Sequence, residues 1–188
     1  LVGRFNKLHN MIAGKIKSRD AHLDVIYDFM DASSGVFDTA SLMDKFFKTL
    51  AGAVDYDIGA YVLCDKGLSE GKIYSTRGLL DDKDVQGLSE RLFARAGSYC
   101  EFLGKEQMPA LNVYPISPIS NGARRTGQTD TGPAEGHIIE QPLQYDGKPI
   151  GVVILISYSN GGIEIDKVFG AKVFNAMVQH ANIVIEGL

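Results

Sequence analysis

An Asp-Gly pair set between two extended apolar runs constrains this chain more than any other feature. His137-Ile138-Ile139-Glu140-Gln141-Pro142-Leu143 leads through Gln144-Tyr145-Asp146-Gly147-Lys148 into Pro149-Ile150-Gly151-Val152-Val153-Ile154-Leu155-Ile156. A two-residue type I′ turn needs positive φ at both central residues, which Asp-Gly tolerates, so the stretch reads as a β-hairpin. Its second strand is apolar on both sides and therefore belongs inside a sheet covered on both faces. Ile58-Gly59-Ala60-Tyr61-Val62-Leu63-Cys64 has the same character. Alternation puts Ile58, Ala60, Val62 and Cys64 on one side, Tyr61 and Leu63 on the other. Two such central strands demand helices above and below them.

The remaining elements follow from periodicity. Phe5, Leu8, Ile12, Ile16, Leu23, Ile26 and Met30 step by three or four, with Arg19 filling one step, so residues 1–34 form a long helix with a narrow apolar seam. Two successive four-residue steps at Leu8, Ile12 and Ile16 resemble a coiled-coil stutter. The seam suits a partner helix; packing on the chain's own domain is the other reading. Ser33-Ser34-Gly35 ends this helix. Asp38 caps the next, with Phe37 and Leu42 in staple positions and Leu42, Phe46, Leu50 and Val54 on one face. Gly67 and Gly71 bracket a turn into an antiparallel partner strand, Lys72–Thr76. Residues 82–96 make an amphipathic helix, 98–104 a shorter helical stretch, and Leu111–Tyr114 a short strand. Residues 115–136, rich in Pro, Gly, Ser, Thr and Asn, read as a long loop, either a binding loop or simple disorder. Phe169, Val173, Phe174, Met177, Ala181, Val184 and Leu188 define a C-terminal helix. The order gives an α+β domain: a central antiparallel sheet with the N- and C-terminal helices on one face. The middle helices and the long loop cover the other.

The 188 residues suit one domain with an appended helix, and 45% apolar residues are enough for a sizeable core. A net charge of −4 gives no electrostatic reason to expect nucleic acid. No run approaches the roughly 20 apolar residues that span a bilayer, and no secretory signal is visible. Both ends read as cuts through helices of a longer polypeptide. Cys64 and Cys100 form no zinc or CxxC spacing, which favours a reduced, cytoplasmic setting.

Two phrases carry a family resemblance. Leu23-Asp24-Val25-Ile26-Tyr27-Asp28, through the second helix to Tyr61-Val62-Leu63, resembles the opening of GAF domains. Gln141-Pro142-Leu143-Gln144-Tyr145-Asp146-Gly147-Lys148-Pro149-Ile150-Gly151-Val152 resembles that family's closing hairpin, and together they cover residues 23–188. PAS-like sheets are related alternatives. Gly3-Arg4-Phe5-Asn6-Lys7-Leu8-His9-Asn10-Met11-Ile12 resembles the end of a HAMP linker, which implies that 1–34 is a signalling helix leading into the domain; a generic linker helix is the other reading. The resemblance implies a sensory and regulatory domain of a larger bacterial signalling protein of the two-component or diguanylate-cyclase type. Such a domain binds a small molecule, pairs as a homodimer through its terminal helices, and passes the change to an output domain outside this chain. The HAMP resemblance, where it holds, implies a parent anchored in the inner membrane. A ligand-free dimerisation and relay module is the alternative, and a methionine sulfoxide reductase of GAF fold is a third. Only two cysteines, without the grouped pattern, speak against the third.

No catalytic constellation appears. His9, His22, His137 and His180 lack metal-binding spacing, no glycine pattern opens a phosphate site, and no nucleophile elbow is present. His180 lacks the neighbours of a kinase phosphoacceptor. Asp81-Asp82-Lys83-Asp84 precedes a helix and complements its dipole. No cofactor is specified by the sequence; haem through His137 rests on one histidine. Candidates to line a ligand site on an open sheet face are Tyr61, Tyr74, Tyr99, Tyr114 and His137, with Arg124 or Arg125 reaching from the long loop. Tyrosine and arginine suit a small polar or anionic ligand; tyrosines that merely fill the core are the competing reading.

Overall fold

A computed structural model describes residues 20–21, 23–54, 56–65, 68–78, 80–99, 111–116, 137–158 and 167–188. Residues 23–33 are helical (α1), followed by α2 (Thr39–Ala51), β1 (Ile58–Asp65), β2 (Leu68–Ser75), α3 (Asp82–Ala96), β3 (Asn112–Pro115), β4 (His137–Tyr145), β5 (Lys148–Ser157) and α4 (Lys167–Glu186). The five strands lie in the order β3-β2-β1-β5-β4. The fold is α+β and consistent with a GAF/PAS-like arrangement. Four strands pair antiparallel as the sequence leads one to expect, but β3 joins β2 in parallel. The sheet is therefore mixed, because the chain crosses over through α3 before it reaches the edge.

Strand parity divides the core in two. Odd-numbered Tyr61, Leu143, Val153 and Leu155 pack with Phe29 of α1, the apolar face of α2 and Phe174, Met177 and Ala181 of α4. Even-numbered Ile58, Ala60, Val62, Val152, Ile154 and Ile156 pack with Leu88, Leu92 and Phe93 of α3. Helices from both chain ends thus share one face, and α3 covers the opposite one. Strands β1 and β5 are apolar on both sides for that reason.

The turns and caps are chemically explicit. Asp146 and Gly147 take φ of 51° and 68°, the geometry of the Asp-Gly turn. Asp38 Oδ1 accepts from Ser41 N at 2.7 Å, and this bond holds its carboxyl below the usual range. Asp81 caps α3 through Asp84 N, also at 2.7 Å. The expected staple is not made: Phe37 is 88% exposed while Leu42 is buried. Nor does Gly71 bracket a turn. It lies within β2, where a Cβ would stand 2.7 Å from the Tyr61 carbonyl oxygen and 2.8 Å from Leu111. Helix α2 stops at Gly52, short of Val54, which stays buried.

The C-terminal end of α1 is held on several sides. Gly35, at φ 73°, turns the chain away. The Met30 and Asp31 carbonyls accept from Ser34 N at 3.2 Å, and Ala32 O accepts from Lys45 Nζ of α2 at 2.5 Å. Ser33 Oγ bonds Met30 O and His180 Nε2 of α4, both at 2.9 Å. Carbonyls that a helix end leaves open are thereby satisfied by its neighbours. At the sheet edge, β4 contains Pro142, which has no N–H, and Gln144 N donates to Asn182 Oδ1 at 3.0 Å. The HAMP-like segment, the 98–104 helical stretch beyond residue 99 and most of the long loop lie outside the described residues.

Candidate functional site

The β1–β2 register sets Tyr61 opposite Lys72, Gly59 opposite Tyr74 and Leu63 opposite Glu70. Directly opposed residues project to the same side of the sheet, so Tyr61, Glu70, Lys72 and Tyr74 share the α2 side. Parallel pairing then brings Tyr114 alongside Tyr74, their ring centroids 6.1 Å apart. Tyr61 lies 6.4 Å from Tyr74 in a near-parallel arrangement, and Phe47 of α2 stacks on Tyr74 at 4.4 Å. Phe47 reaches the sheet because Gly59 lacks a side chain: a Cβ there would stand 2.5 Å from its ring.

This aromatic row ends in charge. Asp44 of α2 accepts a hydrogen bond from the Tyr74 hydroxyl and bonds from Lys72 Nζ at 3.3 and 3.5 Å. The Lys72 ammonium also lies 5.1 Å from the centre of the Tyr114 ring, within cation–π range. The Tyr61 hydroxyl donates to Glu70 Oε1 at 3.5 Å. Burial, then the neighbouring Glu70 charge, pushes the Tyr61 phenol well above its ordinary value. Burial and the bond to Asp44 do the same at Tyr74. Both phenols are therefore neutral donors throughout the physiological range. Tyr61 and Tyr74 are buried, whereas Tyr114 is 41% exposed and Glu70 is exposed.

Of the residues singled out from sequence, Tyr61, Tyr74 and Tyr114 come together on this face. It is the face carrying α2, not a separate open one. Tyr99 lies on the opposite face beside α3, where its hydroxyl donates to Glu140 at 3.1 Å alongside the Arg95–Glu140 ion pair at 2.5 Å. His137 begins β4 at the sheet edge and is exposed. Arg124 and Arg125 lie outside the described residues. Sequence reasoning missed Asp44, Glu70 and Lys72. Glu70 and Lys72 alternate with Tyr74 along one strand, a period-two signal that locating β2 four residues late obscured. Asp44 stands two residues from both Leu42 and Phe46, off the apolar repeat.

A concavity of about 240 Å³ lies elsewhere, between α4 and β4, lined by Gln141, Pro142, Gln144, Asn175, Val178, Gln179 and Asn182. Its lining holds no charged or aromatic side chain to orient a ligand. Among the described residues no group of three His, Cys, Asp or Glu is placed to hold a metal ion, and no helix is long and apolar enough to cross a membrane. No known protein family matches the chain, and no curated protein matches it.

Proposed function

We propose that this chain is the sensory, GAF-like part of a larger cytoplasmic signalling protein. It binds a small molecule at the tyrosine face and passes the change through its terminal helices to an output domain outside this chain. The observation that carries the reading is the position of α2. On one side its Asp44 holds Tyr74 and Lys72. On the other, the adjacent Lys45 holds the end of α1, and Phe46 meets Phe29 of α1 at 5.4 Å and Phe174 of α4 at 6.1 Å. Rearranging the tyrosine face therefore bears on both terminal helices. A ligand shifts such an equilibrium only by its difference in affinity for the two arrangements.

The test is thermal unfolding of the purified chain against a panel of nucleotides, amino acids, carboxylates, amines, nitrate and haem. A specific ligand at about 100 times its dissociation constant stabilises the fold by about 2.7 kcal/mol. A saturable shift that disappears in Tyr74→Phe or Asp44→Asn is the expected result. Silence across the panel, with native mass spectrometry showing an empty protein, sinks the sensory reading. It would leave the second one, a ligand-free dimerisation and relay module. That alternative draws on Leu23, Tyr27 and Met30, which are exposed along one edge of α1.

A further inference from the structure

We infer that two copies of this chain pair antiparallel, the basic and apolar stretch of residues 4–19 of each lying along the exposed edge of α1 of the other. The inference builds on the pairing through terminal helices named above and gives it an occupant and a direction. The surface is on view in α1. At about 100° per residue, Leu23, Tyr27 and Met30 fall within one arc of about 60°. All three are exposed, turned away from Val25 and Phe29, which pack on the domain. Asp20, Asp24, Asp28 and Asp31 occupy the neighbouring arc. They are exposed too, and none takes part in an ion pair among the described residues. The edge is therefore an apolar strip flanked by negative charge.

Residues 1–19 are its complement in sequence. Their charges are Arg4, Lys7, Lys15, Lys17 and Arg19, with no Asp or Glu among them, whereas residues 20–31 hold no Lys or Arg. The apolar spacing matches as well. From Phe5 through Leu8, Ile12, Ile16, Arg19, Leu23 and Tyr27 to Met30 the steps run 3, 4, 4, 3, 4, 4, 3, the same from either end. Tyr27 stands in this series in place of Ile26 because α1 leaves Tyr27 60% exposed and half-buries Ile26. A two-fold axis between positions 17 and 18 thus sets Phe5, Leu8 and Ile12 of one copy against Met30, Tyr27 and Leu23 of the other, an isologous contact. A parallel pair sets every position against itself: acidic block beside acidic block, and Arg19 against Arg19 inside the apolar seam. Like charges desolvated together are costly, and reversal puts Ile16 opposite Arg19 instead. Such complementarity decides between arrangements more than it adds affinity. The series runs unbroken through Ile16 and Arg19, leaving no turn for one chain to fold back on itself, so the complement comes from a second copy. The pair sends its two N-termini to opposite ends, which copies anchored side by side in one membrane do not allow. It therefore favours the generic linker helix over the HAMP end.

The experiment mixes whole-chain Leu8→Cys and Tyr27→Cys variants in equal amounts and oxidises them mildly. Peptide mass spectrometry then maps the disulfides and separates them from links to Cys64 or Cys100. A disulfide forms only where Cα atoms come within about 7 Å. The expected product joins position 8 of one variant to position 27 of the other, while each variant alone gives little same-position link. Same-position links dominating in the single variants show parallel pairing and overturn the direction. In the Leu8→Cys/Tyr27→Cys double variant, a link within one chain in place of one between chains shows a fold-back and overturns the second copy. A dimer that forms neither link places the contact elsewhere and overturns the pairing. Sedimentation velocity of Asp28→Lys/Asp31→Lys is the second measurement. Both side chains are exposed in the last turns of α1, where lysine suits the helix dipole, so the variant should fold. Its dimer should be weakened at least about fivefold at about 50 mM salt, the loss shrinking as added salt screens the charges. An affinity unchanged or raised overturns the charge match. A parent chain monomeric at every concentration overturns the inference, and the metabolite panel decides the sensory reading separately.

Discussion

Gly59 shows how one missing side chain organises a site. Its neighbour across the sheet is Tyr74, and Phe47 descends into the space that a Cβ would fill, 2.5 Å from its ring carbons and 3.1 Å from Tyr56. That descent lets Phe47 stack on Tyr74. Gly59→Ala should destabilise the fold by about 1–3 kcal/mol, the usual cost of overpacking a filled core. Phe47→Leu in the same chain should recover part of the loss. Urea unfolding checks both, and an unchanged midpoint for Gly59→Ala would show that the ring has other room. The sequence carries Gly59 in plain view within an apolar run, yet nothing local distinguishes it from a bulge or a weak strand position. Its reason lies 12 residues earlier, on another element.

Between elements, the contact of α1 with α4 through Ser33 and His180 has a defined response to acid. Ser33 spends its proton on Met30 O, so it accepts from His180 Nε2–H, which assigns the tautomer. The ring also packs edge-on against Phe29 at 5.5 Å. Burial holds the imidazole below its ordinary value of 6.5. The unfolded chain therefore takes up the proton first as pH falls. Stability is complete above that value and declines as pH drops through it towards the lower folded value. His180→Gln keeps a donor for Ser33 and loses the titration, so it should flatten the fall in urea midpoint between about pH 7.5 and 5. An equal fall in the variant would assign the acid sensitivity to other groups. Most elements were legible in sequence because each is written locally: the Asp146-Gly147 turn, the Asp38 and Asp81 caps, the four-residue repeat of α2. The parallel pairing of β3 was not, since four residues carry no record of the strand they will meet. The tyrosine face was half legible. Tyr61 and Tyr74 stand out, but their union with Asp44 depends on register and on how α2 lies across the sheet.

At the scale of the whole molecule, α1 presents apolar residues on two sides. Val25 and Phe29 pack inward, while Leu23, Tyr27 and Met30 remain 45%, 60% and 41% exposed at steps of four and three. The proposed pairing of two copies through terminal helices would bury this second edge. Tyr27→Asp with Met30→Asp should then weaken the dimer at least about tenfold, because each charge would be desolvated without a partner. Sedimentation velocity at low micromolar concentration reads the result; a variant as dimeric as the parent would place the contact elsewhere. The β4 edge bears on the same question. Pro142 offers no N–H there, and that of Gln144 is already given to Asn182, so an incoming strand finds few donors to zip onto. If two copies pair through their helices as proposed, the β4 edge would give the pair little means of growing onward strand by strand, so recruitment at that edge would stop at the helix-paired unit.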